Sequence, residues 1–319
     1  MPPRFRPVFL FGLTGMLAGC SMPKAAYRQV DHETPAFKAA VAQETEHQQA
    51  AGKSKAAAEK IATNKTDARF AQNEKDRRLA LTAPLIQAME ALEKPRGCWA
   101  YTVTTTVRQD GQLTLTDVVR YDPFQPEEKI WTLVSRNGAA PDEVTQADFR
   151  AKRLKAWHKD LERQAKARLT DSELVRWNAL STQFEAPVTT PDSATTFTFH
   201  REPVKMLGLA DIPPSDETFT VDHATLVRRT SAFTNPGSAL AGTMTMDYED
   251  SALDYAVIDP AVPPFVVKRV AHWRIRFLGK DSGAMERVEV YTDYHRVKCY
   301  DDRFETRIGT PNVMEFAPN

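Results

Sequence analysis

CWAYTVTTTVRQDGQLTLTDVVRY, residues 98–121, alternates apolar and polar side chains with a period of two. Trp99, Tyr101, Val103 and Val107 fall on one side, against Thr102, Thr104 and Thr106 on the other. Successive side chains of a strand point to opposite faces, so the pattern predicts a strand with one face buried. Asp110-Gly111 supplies a tight hairpin turn, and Leu113, Leu115, Val119 and Tyr121 continue the apolar face on the return strand. A slip of one residue would turn that face to water, so the register is strongly specified.

Downstream, Pro123 and Pro126 interrupt the pattern, Lys129 to Ser135 restores it as a third strand, and Asn137-Gly138 is the next turn signal. The period of two returns at Phe197 and Phe199, Phe219 and Val221, Met244, Met246 and Tyr248, and Tyr255 and Val257. Trp273, Ile275 and Phe277 then lead through Lys280-Asp281-Ser282-Gly283 to Val288, Val290 and Tyr294. Residues 142–182 instead follow a helical period: Val144, Phe149, Leu154, Trp157, Leu161 and Ala165 trace an amphipathic helix, and Thr170-Asp171-Ser172-Glu173 opens a shorter one. The expected fold is α+β: about nine to eleven strands in one long curved antiparallel sheet with helices against its apolar face.

Upstream, Thr82 reads as the cap of a helix with Pro84 in its first turn; Leu81, Leu85, Met89 and Leu92 share a face, and Pro95 and Gly97 stop it. From Ser21 to about Leu79 the chain is rich in Ala, Lys, Gln, Glu and Thr, and its large apolar residues do not recur at helical spacing. That composition reads as a polar tether, which as a flexible coil would reach about 40 to 45 Å. The organisation expected is a leader over 1–19, the tether over 20–79, and a single half-barrel-like domain over 80–319 with a helical insertion at about 142–182.

The leader carries Arg4 and Arg6, then an apolar run from Val8 to Leu17, and ends Leu17-Ala18-Gly19-Cys20. A basic n-region, a short h-region and small residues before a cysteine describe a bacterial lipoprotein signal. A membrane-spanning anchor is the alternative, but about 10 apolar residues fall short of the roughly 20 a span needs. Cys20 is therefore the expected acylated first residue of the mature chain, bearing diacylglycerol on sulfur and a further chain such as palmitate on the amine. Ser21 follows, where an aspartate would mark retention in the inner membrane, so an outer-membrane, periplasm-facing, lipid-anchored location is expected. Basic and acidic residues both number 42. Loss of Arg4 and Arg6 leaves 40 basic against 42 acidic, a net charge of −2 that argues against nucleic acid as a partner.

Three cysteines are present. With Cys20 taken by lipid, Cys98 and Cys299 remain in an oxidising compartment, at opposite ends of the strand-rich region; they are expected to form a disulfide, two separate buried thiols being the other reading. No Gly-x-Ser-x-Gly elbow, Gly-rich phosphate loop or His-Glu-x-x-His occurs, and His200, His223, His272 and His295 lack metal-ligand spacing. Asp301-Asp302 beside Arg303 and Glu305 reads as a charged edge rather than an acid/base pair. A non-enzymatic protein without cofactor or metal is expected.

Two surfaces remain as candidates. Trp99, Tyr101, Trp131, Met244, Met246 and Trp273 either pack as ordinary core or line an apolar cavity for acyl chains. Between Arg150 and Arg168 eight basic residues face only Asp160 and Glu162, so Arg153, Lys159 and Arg163 lie either on a solvated helix face or on one that meets an anionic surface.

The order of elements resembles the periplasmic lipoprotein-sorting superfamily, the LolA/LolB-like half-barrels. A helix ending at Leu92 precedes the strand Trp99 to Val107; the second strand ends in Arg120-Tyr121-Asp122-Pro123; Lys129-Ile130-Trp131-Thr132-Leu133 follows, and long paired strands come later. The resemblance covers about residues 80–308 and implies binding of lipoprotein acyl chains or related lipids on the concave face. The long tether and the basic helical insertion depart from it, and no single functional residue carries over. The leading expectation is a lipid or lipidated chain as ligand; the alternative is an envelope scaffold or assembly factor binding a protein or glycan partner.

Overall fold

The computed structural model describes residues 31–166, 170–181, 183–201, 214–233, 238–241, 244–278 and 280–299; Cys20, the leader and Asp301-Asp302 lie outside them. From the N-terminus come α1 (Pro35–Ala50), α2 (Lys55–Leu92), β1 (Cys98–Gln109), β2 (Gln112–Tyr121) and β3 (Trp131–Arg136). Then follow α3 (Glu143–Lys166), α4 (Asp171–Ser181), β4 (Gln183–Phe184), β5 (Val188–Thr189), β6 (Ala194–Arg201), β7 (Ser215–Asp222), β8 (Thr225–Phe233) and β9 (Ser238–Ala241). The long strands β10 (Met244–Ala256), β11 (Phe265–Phe277) and β13 (Met285–Val297) close the order, with the short β12 (Lys280–Asp281) between the last two. The fold is α+β with antiparallel strand pairing. Its described residues divide into two compact units, one of 94–166 and 249–299, the other of 31–93 and 170–248.

In the first unit the strands run in the order β3-β2-β1-β13-β11. From Tyr101 to Val107 the hairpin sits in the register its alternation dictates, Val103 opposing Val119 and Thr105 opposing Asp117. Next to the Asp110-Gly111 turn, where both residues take positive φ, the register shifts, so that Leu113, expected on the apolar face, opposes Arg108 and is exposed. Val103, Val119 and Leu133 are buried on one face, and Phe149 of α3 packs onto them. This is the helix-on-sheet arrangement expected from the switch of period at residue 142. Cys98 and Cys299 form a disulfide with Cα atoms 5.3 Å apart.

The phase of β13 differs from expectation. Val288, Val290 and Tyr294, read as following at a period of two on the return strand, do not keep one face: Val290 is exposed and Glu289 is buried. A bulge explains it: the β1 register jumps between Ala100 and Thr102, and Asp293 on β13 takes φ 57°. The extra residue shifts the alternation, so Tyr291 and Tyr294 reach the same cluster of rings.

The second unit packs α2 and α4 against β6, β7 and β8. Phe197 stands opposite Phe219 and, with Phe199, Val221 and Leu226, is buried on that sheet; Leu85, Ile86 and Met89 of α2 and Val175 and Ala179 of α4 are buried as well. Glu217 and Arg229 are buried as an ion pair, Arg229 Nε donating to Glu217 Oε1 at 2.9 Å, with the Arg229 guanidinium over the Phe219 ring.

Where a coil was expected, residues 35–92 form two packed helices. The seam between them is made of small side chains, which a search for large apolar residues passes over. Ala58 and Ala62 are fully buried, and Phe37 is buried against Phe70, ring centroids 5.5 Å apart. Lys65 bonds Glu44 at 2.9 Å and His32 bonds Asp67 at 2.7 Å. Ala, Lys, Gln and Glu are also the strongest helix formers, so composition favours helix once a seam exists. Residue 79, the expected end of the tether, falls inside α2. Thr82 is accordingly no cap: Ser54 holds the N-cap position, and the buried Thr82 hydroxyl donates to Arg78 O at 2.8 Å, two residues before Pro84.

Candidate functional site

The face of β1, β2, β3 and β13 that meets α3 carries a wall of rings. Tyr101 lies 4.9 Å from Tyr121, 6.4 Å from Trp131, 5.7 Å from Tyr291 and 5.4 Å from Tyr294, centroid to centroid. Tyr121 and Trp131 are 4.5 Å apart. Phe265, where β11 begins, extends the wall to Tyr294 at 4.7 Å and to Trp99 at 5.0 Å. Cross-strand register produces this: Tyr101 opposes Tyr121, and Tyr121 opposes Trp131. Ring pairs at these spacings contribute about 0.5–1.5 kcal/mol each beyond the area they bury.

Several polar atoms at the wall are held individually, while Trp131 Nε1 is buried without a partner. Trp99 Nε1 donates to Arg96 O at 2.8 Å, and the Tyr294 hydroxyl donates to Val266 O at 2.6 Å. The buried Arg96 donates to Pro264 O at 2.6 Å, with its guanidinium over the Phe265 ring; burial draws it down to about 10, so it stays charged at neutral pH. Burial pushes the Tyr101 and Tyr294 hydroxyls up, and burial with Asp122 pushes Tyr121 up to about 12. The wall is therefore un-ionised across the physiological range and apolar in character.

Beside the wall lies a polar row. Arg136, Asp117, Thr105, Glu289 and Arg269 stand opposite one another across β3, β2, β1, β13 and β11. Arg136 holds Asp117 with two bonds of 2.9 Å, and Glu289 is held by Arg287, by the Tyr291 hydroxyl at 3.0 Å and by Arg269 at 3.8 Å. Burial alone would push the Glu289 carboxyl up, but Arg287, Arg269 and Tyr291 outweigh it and hold it below the ordinary range. Burial and Glu289 push the Tyr291 hydroxyl up in turn.

Of the residues singled out in the sequence, Trp99, Tyr101 and Trp131 meet in the wall. Trp273 is on the same face of β11 as Arg269 by register but eight residues from Phe265, about 26 Å at 3.3 Å per residue. Met244 and Met246 are on β10 and Arg163 is on α3; their side chains lie outside the described residues. Arg153 stands over the rings of Trp131 and Phe149 at 5.7 and 5.5 Å, while Lys159 is exposed on the same helix. Part of the basic helix thus roofs the wall. Sequence reasoning passed over Phe265, Tyr291 and the polar row. No local pattern marks the row, because Arg287 and Glu289 stand among Glu286, Asp293, His295 and Arg296 on the same strand.

Among the described residues no group of three or more His, Cys, Asp or Glu is placed to hold a metal ion, and no helix is long and apolar enough to cross a membrane. No protein-family model matches the chain, and no curated protein matches it. Among solved structures, it is similar to the crystal structure of a LolA superfamily protein from Nitrosomonas europaea, at 11% sequence identity over 70% of this chain and 96% of that one, with a TM-score of 0.27.

Proposed function

We propose that this is a non-enzymatic envelope protein, anchored through Cys20 to the periplasmic side of the outer membrane, whose ring wall binds the acyl chain of a lipid or a lipidated polypeptide. One observation carries the reading: Trp99, Tyr101, Tyr121, Trp131, Phe265, Tyr291 and Tyr294 form a continuous un-ionised surface on one sheet face. Its roof is made partly by a flexible cation, Arg153, rather than by apolar packing alone. An arginine side chain of this kind can swing away while its head keeps contact with water.

The test uses the whole mature chain with Cys20→Ala, because a fragment begun at Leu79 would cut α2. A fluorescent acyl probe should saturate it with micromolar affinity, about −8 kcal/mol, and alter tryptophan emission. Burial of apolar area dominates such binding, so it should tolerate salt. A folded chain without saturable binding would overturn the acyl reading and favour the scaffold alternative, in which the rings are only core and the exposed Lys155 and Lys159 of α3 meet a partner.

A further inference from the structure

We infer that the polar row beside the ring wall recognises the carbonyl linkage of an ester- or amide-linked acyl chain, so that the ligand is a neutral-linked amphiphile rather than a bare hydrocarbon or a phosphate. The inference rests on the acyl reading of the wall and adds the chemistry of the ligand's polar end.

Three side chains bear it. The Thr105 hydroxyl, the Arg287 Nε and both atoms of the Gln146 amide are buried without a hydrogen-bond partner. Such an atom costs about 1–3 kcal/mol when left without a partner, so two of them at adjacent positions on one sheet face, the Thr105 hydroxyl and the Arg287 Nε, mark a position built for something else to bond. Thr105 is 4% exposed, and its neighbours on either side, Asp117 and Glu289, are already engaged by Arg136 and by Arg287, Arg269 and Tyr291. Arg287 opposes Val107, one step along the same face of β1, and leans to Glu289 opposite Thr105. Gln146 is on α3 one turn before Phe149, whose ring packs over Val103.

The chemistry of these groups selects the linkage. Arg287 Nε donates, Thr105 donates or accepts, and the Gln146 amide does both. The Arg287 Nε–H and the Thr105 O–H, on adjacent positions of one sheet face, can both donate, which suits a carbonyl oxygen. Charge excludes a strongly anionic head: around the row the guanidiniums of Arg136, Arg269 and Arg287 are matched by the carboxylates of Asp117, Glu289 and Glu249, the last acting on Arg269. The row lies next to Val103 and Tyr291, so a chain leaving the carbonyl would run onto the wall.

The experiment displaces the acyl probe from the mature Cys20→Ala chain with competitors of one chain length: N-methyldodecanamide, methyl dodecanoate, dodecyl methyl ether and dodecyl phosphate. The amide and the ester should displace at about tenfold lower concentration than the ether, a difference of about 1.4 kcal/mol. Thr105→Val, which keeps shape and removes the hydroxyl, and Arg287→Lys, which keeps charge and removes Nε, should each bring the amide-to-ether ratio toward one; circular dichroism reports whether they fold. A ratio near one in the unsubstituted chain, or dodecyl phosphate as the best competitor, would overturn the inference while the acyl reading stands. Absence of probe binding would overturn both.

Discussion

Glu289 and Glu217 are both buried carboxylates held by arginine, with distinct consequences. Glu289 meets two guanidiniums and a phenol, and its folded value is held below the ordinary 4.5. The sign follows: a group depressed on folding adds stability that is present above its unfolded value and is lost as pH falls through the lower folded value. Denaturant midpoints should therefore drop below about pH 4.5, and Glu289→Gln should flatten that part of the profile; an unchanged profile would show the network to be inert. Glu217 is 4% exposed and bonded to Arg229. Removing one partner of a buried pair leaves an uncompensated charge, so Glu217→Ala should cost about 3–5 kcal/mol, whereas replacing both residues by apolar ones should restore much of it. Thermal melting of the two variants separates these outcomes. His200 completes the set: the hydrogen bond to Asp216 at 2.8 Å, followed by that to Glu185 at 3.2 Å, raises its value above 6.5. Its contribution is full below pH 6.5 and fades as pH rises through the higher folded value; an NMR titration in which Asp216→Asn fails to lower the His200 midpoint would refute this.

Elements differ in how plainly the chain announces them. The β1–β2 hairpin is legible because one-sided burial imposes a strict period of two, and Asp110-Gly111 supplies the positive φ that the turn requires. The burial side of β13 is not legible. Its phase depends on a bulge at Asp293, and Glu289 turns inward only because Arg269, Arg287 and Tyr291 converge on it from two strands. The wall shares that fate: Trp99, Tyr101 and Trp131 are named by their alternation, but Tyr291, Tyr294 and Phe265 join them through pairing that no local pattern encodes. The α1–α2 hairpin hides for another reason. Its seam is alanine, which carries little hydrophobic signal yet permits close approach of two helices. Ala58 and Ala62 have no exposed surface, so Ala62→Leu should overpack the seam and cost about 1–3 kcal/mol, with loss of helical signal from this region in hydrogen exchange. A neutral Ala62→Leu would mean that the seam is loose.

At the scale of the whole molecule, the proposed leader and the disulfide would require the same compartment for unrelated chemical reasons. Residues 1–19, if they are the proposed lipoprotein signal, would be an address read by the export machinery, and Cys20 would be where lipid is attached. The disulfide joins two residues 201 apart in sequence. It joins the start of β1 to the chain just past β13, the two strands that pair side by side through the ring wall. In the chain-entropy model a closed loop of that length stabilises by about 5 kcal/mol, reduced by any structure the unfolded chain keeps. Disulfides persist outside the inner membrane and are kept reduced in the cytosol. The two forms should therefore separate by route. Full-length protein made with its leader should fractionate with the outer membrane and yield a Cys98–Cys299 peptide under non-reducing digestion. A chain begun at Ser21 and made in the cytosol should be soluble, carry free thiols at both positions, and melt lower until it is oxidised. Cys20→Ala with the leader intact should lose the membrane fraction yet keep the disulfide if it still crosses the inner membrane. Free thiols in the membrane-anchored protein would contradict the compartment. Wild-type fractionation of Cys20→Ala would contradict the anchor and leave the disulfide to be explained by another route of export.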